Sequence, residues 1–284
     1  MVDVARTNAP GPDWRHRLVA AYLAARHHRF KTTAANALRS LLRVKEVYYQ
    51  APSGARYLLN PRDYLQDQML RYGASEPATM AAMARLLRPG AVVVDVGGHI
   101  GQYAIEAAMV VGDNGLVISF EPNPKTFGYL QRNIGLNGLR NTFPILAAAS
   151  DGPHLIEMMN PPETNWGMSQ TKQSADARGD YWVPGVRICD VLTSFNVTSV
   201  DLLKMDVEGA ELEALAGLFC GCRIRPANLI FEFVPKAFKY GQKLPDFVRA
   251  NGYEIFTITG DAYGGEDEVP ECNLWARRKE ACVL

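Results

Sequence analysis

The run Val92-Val93-Val94-Asp95-Val96, followed by Gly97-Gly98-His99-Ile100-Gly101, constrains the fold more than any other stretch. A near-continuous apolar run of this length describes a strand buried on both faces, as in a parallel sheet. Three glycines in five positions then permit a sharp reversal and close approach to the backbone, and Gln102-Tyr103 opens an amphipathic helix. Strand, glycine turn and helix start, in that order, make a site for a nucleotide-like ligand at the carboxyl end of an open α/β sheet. The spacing is G-G-x-x-G rather than G-x-G-x-x-G, so the glycines alone do not select a cofactor.

Two acids narrow the choice. Asp95 stands two residues before Gly97, where a negative charge is out of place beside a pyrophosphate. It suits a ligand that carries positive charge, such as the ammonium and sulfonium of S-adenosylmethionine. One βα unit later, Gly115 to Asn123 reads as a second buried strand ending in Glu121, where a carboxylate can take both ribose hydroxyls. The competing reading makes both acids caps for the helices that follow them. Two of them on successive strand ends favour a cofactor site.

Composition leaves room for one large domain with an appendage: 284 residues, 48% of them hydrophobic. Thirty basic and thirty acidic side chains cancel, so no global field points to nucleic acid or to a membrane. The five cysteines are scattered, without a CxxC pair or a His/Cys cluster, and a reducing cytoplasm is the simplest setting. The N-terminal residues lack the apolar core of a signal peptide, and no run is long enough to span a bilayer. A soluble cytoplasmic protein is expected.

The organisation changes near residue 75. Over 1–75, Trp14, Leu18, Tyr22 and Ala25 recur at helical spacing, Leu38, Leu41 and Leu42 suggest a second helix, and residues 47 to 59 read as a short hairpin. This extension is locally basic (Arg15, Arg17, Arg26, Arg29, Lys31, Arg39, Arg43, Lys45), which reads as solvated helix faces, and its helices are a candidate homodimer surface. Over 76–284, strand patterns at Val92–Val96, Leu116–Phe120, Thr142–Ala147, Asp201–Met205, Asn228–Phe233, Tyr253–Thr259 and Asn273–Arg277 alternate with helical ones. That alternation is the mark of a doubly wound α/β sheet. Residues 154 to 188 interrupt it: His154–Met159 and Tyr181–Ile188 read as extended, with a polar stretch holding Trp166 and Met168 between them. A lid-like substrate cover is expected there.

The third constellation is Leu202-Leu203-Lys204-Met205-Asp206-Val207-Glu208-Gly209-Ala210-Glu211. A buried strand ends at Asp206 and a helix opens after it, for which Asp206 is a plausible N-cap. The functional reading brings Asp206, Asp95 and Glu232, at the end of another strand, to one crevice. Three carboxylates there can position an acceptor hydroxyl, take its proton, or hold a divalent ion such as magnesium, although no metal ligand is assigned.

With these residues in order, the chain over roughly 70 to 260 resembles the FkbM-type S-adenosylmethionine-dependent methyltransferases. The family's D-V-G-A-N-x-G-x-Y is similar to Asp95 through Tyr103, with His99 in place of the usual Asn. Its F-E-P-x-P matches Phe120-Glu121-Pro122-Asn123-Pro124, followed by a helix with Asn133 and Asn137. Its A-x-S-D resembles Ala148-Ala149-Ser150-Asp151, and its T-L-D-x-L is approached by Ile188-Cys189-Asp190-Val191-Leu192. Its K-x-D-V-E-G-x-E-x-x-x-L-x-G is met in full, from Lys204 through Gly217. The resemblance implies a Rossmann-like class I methyltransferase sheet of seven strands, the last antiparallel. It also implies O-methylation of a hydroxyl on a sugar, polyketide or other natural product, hence a small hydroxylated acceptor. The expected cofactor-binding residues are Glu76, Asp95, Gly97, Gly98, His99, Gly101, Tyr103, Glu121, Pro122, Asn123, Ser150 and Asp206; Asp206, Glu208, Glu232 and His99 are the candidates for catalysis. A nicotinamide oxidoreductase and a non-catalytic binding protein on the same fold are the alternatives.

Overall fold

The computed structural model describes residues 44–168, 170–171, 178–233, 243–265 and 272–279, together with Arg15, Leu18, Val19, Tyr22, Leu38, Leu41 and Leu42. The chain divides into two compact units, Met1–Ser75 and Glu76–Leu284. In the first, β1 (Val47–Gln50) and β2 (Arg56–Leu59) form an antiparallel hairpin with Val47 opposite Leu59. Helix α1 (Tyr64–Tyr72) starts where the Asp63 side chain accepts the Gln66 amide and stops at Gly73, which takes the left-handed conformation a side chain would strain. Of the two helices expected before the hairpin, Leu18, Tyr22, Leu38 and Leu41 are helical. Trp14 and Ala25 lie outside the described residues, as do Arg17, Arg26, Arg29, Lys31, Arg39 and Arg43.

The second unit runs α2 (Pro77–Leu86), β3 (Val92–Val96), α3 (Gln102–Val111), β4 (Leu116–Phe120), α4 (Pro124–Asn137), β5 (Thr142–Ile145) and β6 (Ala148–Ala149). It continues through β7 (His154–Met159), β8 (Gln170–Thr171), β9 (Tyr181–Val186), α5 (Ile188–Ser194), β10 (Leu202–Met205) and α6 (Glu211–Phe219). It closes with β11 (Asn228–Glu232), α7 (Lys243–Ala250), β12 (Tyr253–Thr257) and β13 (Asn273–Arg278). Seven strands form one sheet in the order β12-β13-β11-β10-β3-β4-β5. The strands from β11 to β5 are parallel, and β13 is antiparallel to both its neighbours. This is the doubly wound, Rossmann-like sheet with an antiparallel last strand that the sequence implied.

Burial on both faces explains the continuous apolar strands. Val93, Val94 and Val96 of β3 and Leu202, Leu203 and Met205 of β10 are all buried, and α6 adds Ala214, Leu215 and Leu218 to the same core. The chain leaves β3 towards β4 and β5 on one side and returns through β10 and β11 on the other. The crevice at their carboxyl ends is therefore the topological switch point, where open α/β sheets bind ligands.

Several local expectations are corrected. The strand read to Ala147 stops at Ile145; the chain turns there and Ala148–Ala149 joins a second sheet, ordered β6-β9-β7-β8. The strand read to Ile188 stops at Val186, and Ile188 begins α5, because Ile188 and Leu192 bury one helical face four residues apart. Asp206 is not the N-cap of α6, which is Ala210. Cys189 and Cys222, 33 residues apart, form a disulfide with their Cα atoms 5.9 Å apart. The scattered spacing concealed it, since only the docking of α5 beside α6 brings the two together. No helix among the described residues is long and apolar enough to cross a membrane.

The insertion is structured around its own small core of Ala148, Met158 and Val183. Its loop places Trp166, only 3% exposed, against α4: Lys125 Nζ lies 3.6 Å from the Trp166 ring centroid, and Tyr129 packs edge-on at 5.2 Å. The insertion is thus anchored beside the start of α4.

Gly217 in α6 shows how tightly this unit is packed. A Cβ there would sit 1.9 Å from the Ser150 carbonyl oxygen. Ala in place of a compatible Gly usually stabilises by about 0.4–1 kcal/mol, but overpacking costs about 1–3 kcal/mol and decides the sign here. Gly217→Ala should destabilise by about 2 kcal/mol in urea unfolding. Gly135→Ala, in a helix position where nothing lies within 4 Å, should be neutral or mildly stabilising.

Candidate functional site

Register builds the site from β3 outwards. Parallel neighbours in register share a face, so the pairing of Lys204 with Asp95 and of Asp95 with Ser119 sets a cation, an acid and a hydroxyl side by side. Ser119 Oγ donates to Asp95 Oδ2 at 3.0 Å. Lys204 is 2% exposed, and its Nζ lies 3.2 Å from Asp206 Oδ2 and 4.3 Å from the centroid of the Tyr103 ring. Tyr103, in the first turn of α3, donates its hydroxyl proton to Glu76, which also accepts from Asn273 Nδ2 at 3.0 Å. Glu76 is the N-cap residue of α2 but makes no capping bond. Pro77 follows it without an amide hydrogen, and the carboxylate turns to the site instead.

The glycine turn is shaped from within. Gly97 and Gly98 both donate to the Phe120 carbonyl. A Cβ on Gly97 would lie 1.8 Å from the Asp206 carbonyl oxygen, and one on Gly98 would lie 2.1 Å from Ser119 Oγ. The close approach that demands glycine at these two positions is thus made by neighbouring strands. His99 takes φ 50°, in the left-handed region that Asn tolerates better than most residues, which accounts for the Asn of the family motif. Asn133, fully buried on α4, holds the turn by donating to the Ile100 carbonyl at 2.9 Å.

Glu121 ends β4 beside this turn. Its Oε2 accepts the His99 amide at 2.7 Å, and its Oε1 accepts the Asn123 amide and the Thr126 hydroxyl, each at 2.7 Å. Asn123 caps α4, and Asp95 takes the Ala104 amide in the first turn of α3. Both acids therefore bond to the helices that follow them, as the capping reading expects.

Beyond β10, the Asp206 amide bonds to the Val96 carbonyl at 2.9 Å, and Glu208 and Gly209 both have positive φ. Glu211 Oε1 accepts the Val207 and Gly209 amides at 3.1 and 3.3 Å, which fixes this loop. Glu232, at the end of β11 and paired with Asn273 of β13, hydrogen-bonds Asp206.

The structure thus gathers Glu76, Asp95, Tyr103 and Asp206 around Lys204, with Glu232 beside Asp206, and it joins Glu121 to Asn123 and to the His99 backbone after β4. Ser150 follows β6, where its amide bonds to Val186 and its carbonyl abuts Gly217. Among the described residues no group of three or more His, Cys, Asp or Glu side chains could hold a metal ion. Lys204 and Asn273 were given no role from the sequence. A lysine between Leu203 and Met205 in a buried strand was a usable signal; Asn273 had none, because only the antiparallel return of β13 brings it to Glu76.

Charge crowds this crevice. Burial, then Asp206, Glu208 and Glu211, push Glu232 up to about 10. Burial raises Glu121 to about 7 against the opposing bonds from Thr126, Asn123 and His99. It raises Glu211 to about 7 as well, against the amides it accepts. Asp95 and Glu76 are raised by burial too, with Lys204 pulling both back. Burial works against the Lys204 ammonium, but Asp206, Asp95 and Glu76 outweigh it and lift the group above the ordinary lysine range.

Residues 95–255, more than half of the chain, match the family model of the methyltransferase FkbM domain. Residues 23–161 also match the model of protein-L-isoaspartate(D-aspartate) O-methyltransferase. A curated relative, Methyltransferase 1 of Beauveria bassiana (strain ARSEF 2860), is 28% identical over 144 residues, 44% of this chain. The chain spans 57% of the length of that relative. Among solved structures, M. jannaschii TYW2 in complex with AdoMet is similar with a TM-score of 0.44 at 19% identity, over 82% of this chain and 83% of that one. Methyltransferase FkbM from Methylobacillus flagellatus KT gives 0.41 at 15% identity over 93% of this chain and 58% of that one. By its family match, the chain belongs to the methyltransferase FkbM domain family.

Proposed function

We propose that the protein transfers a methyl group from S-adenosylmethionine to a hydroxyl of a small molecule such as a sugar, polyketide or other natural product. The observation that carries the reading is the excess of carboxylates over cations at the carboxyl ends of β3 and β10. Glu76, Asp95 and Asp206 meet there around the ammonium of Lys204, which is the one buried lysine among the described residues, with Glu232 beside Asp206. Such a crevice favours a cationic ligand, and the donor set fits this cofactor. Glu121 is a buried strand-end carboxylate suited to ribose hydroxyls, with its backbone partners already in place.

S-adenosylmethionine, when bound, supplies a methyl group already activated on a positively charged sulfonium. The protein's part is to align an acceptor oxygen, exclude water and take the acceptor's proton. Asp206 is the group we assign to that proton, because Lys204 and Glu232 both hold it in place. Glu232 keeps its own proton at neutral pH and so acts as a hydrogen-bond donor to Asp206, not as a second base. Glu208 adds negative charge next to Glu232 from the loop after β10. The Trp166 loop, anchored on α4 next to Glu121, is the cover that keeps water out.

Calorimetric titration tests the cofactor: S-adenosylhomocysteine should bind and NADH should not. Binding of NADH alone would favour an oxidoreductase, and binding without turnover on a panel of hydroxylated acceptors would favour a non-catalytic protein. Glu121→Ala should weaken binding by about 1.5–3 kcal/mol, the value of a hydrogen bond to a charged group; unchanged affinity would refute its role. Asp206→Asn should lower kcat about 10²-fold or more, the usual share of a general base. Glu232→Gln, which keeps the neutral donor, should retain most turnover that Glu232→Ala loses.

The same protonation state makes a stability prediction. Glu232 binds its proton more tightly when folded than when unfolded, so between the two pKa values the folded state holds more protons. Stability therefore falls as pH rises from the ordinary carboxylate range towards about 10. Thermal melts of the ligand-free protein should show Tm declining from pH 6 to 9, and Glu232→Gln should flatten that decline.

A further inference from the structure

Lys204 occupies a position where a charge is expensive. It lies within β10, between Leu203 and Met205, both buried, and is itself 2% exposed. Removing an ammonium from water to such a place costs several kcal/mol unless partners compensate. The partners come from every element around it. Asp95 on β3 is its in-register neighbour, Asp206 follows on its own strand at 3.2 Å, and the Tyr103 ring of α3 covers it at 4.3 Å. Glu76, before α2, is joined to Tyr103 by the hydroxyl hydrogen bond. On the other flank β11 sets the uncharged Ile230 beside Lys204, and its Glu232 reaches Asp206 instead. One cation thus serves three acids, and two of these, Asp95 and Asp206, frame the glycine turn.

Resting on the cofactor reading above, we infer that Lys204 is the positioning residue of this site: its ammonium holds the Asp206 carboxylate and faces Asp95 in register on β3, so that the crevice presents both acids to a cationic cofactor. The buried Lys204 acts through Asp206, the more exposed partner of the pair. Removal of Lys204 acts through the acids. Without the ammonium, the buried Asp95 carboxyl loses the charge that pulls it back against burial, so it holds its proton to higher pH and the attraction for the sulfonium and ammonium weakens until the pH is raised.

The test is the affinity of S-adenosylmethionine, measured by calorimetry from pH 6 to 9, for the wild type, Lys204→Met and Lys204→Arg, with folding checked by circular dichroism. The wild type should gain affinity through about pH 7, as Glu121 ionises, and then level off. Lys204→Met should bind at least tenfold more weakly at pH 7, with the midpoint of its profile at least one pH unit higher and partial recovery by pH 9. Lys204→Arg should keep the wild-type midpoint. A Lys204→Met profile parallel to the wild type, or a Lys204→Arg profile shifted as far as that of Lys204→Met, would overturn the inference and leave Lys204 a packing residue. If the methionine variant lacks a cooperative melt, Lys204→Gln removes the charge with a polar side chain and is read by the same criterion. A wild type that binds S-adenosylmethionine at no pH would overturn the cofactor reading and this inference with it, a result distinct from the others.

Discussion

The pairing of Lys204 with Asp95 and Asp206 is the interaction on which the rest of the second unit depends. A buried lysine in a central parallel strand is tolerable only if the adjacent strand offers a counter-charge in register, and β3 does. The consequence spreads outwards. Asp95 also orders Ser119 on β4, Asp206 joins Glu232 on β11, and Tyr103 links the lysine to Glu76 and through it to Asn273 on β13. Five strands and two helices are thus tied at one end of the sheet by a polar network whose members are each unaffordable alone.

That network also explains why the crevice is acidic without being filled by its own cations. Glu232 relieves part of the crowding by holding a proton, and Lys204 neutralises part of the remainder. What is left over is a negative field in a buried site, where the effective dielectric is low and a cationic ligand gains more than it would in water. The glycine turn serves the same end indirectly. Gly97 and Gly98 let the Asp206 carbonyl and the Ser119 hydroxyl come close enough to set the acids around the turn.

Much of this was readable from the residues. Val92 to Val96 and Leu202 to Met205 were identifiable as buried strands because their apolar runs lack alternation, and Asp95, Glu121 and Asp206 were identifiable as strand-end acids. The losses came where one pattern fits two structures. Ile188 and Leu192 suit the end of a strand as well as one helix face, and helix won because Arg187 caps the turn geometrically and the apolar pair faces the core. Asp206 had the composition of an N-cap, but four residues separate it from the first helical residue. Cys189 and Cys222 carried no local signal at all.

The order of residues alone dictates the doubly wound succession of strands and helices, the strand ends at which acids stand, and the motifs shared with one family. These depend on local periodicity and on short spacings, which survive without knowledge of neighbours. How those acids divide the charge among them is set by the folded arrangement. That arrangement made Glu232 a proton holder, gave Lys204 its three partners, drew in Asn273 from the far end of the chain and closed the Cys189–Cys222 bond. Each of those outcomes rests on burial and on contacts between elements distant in sequence, and neither quantity exists until the strands have found their register.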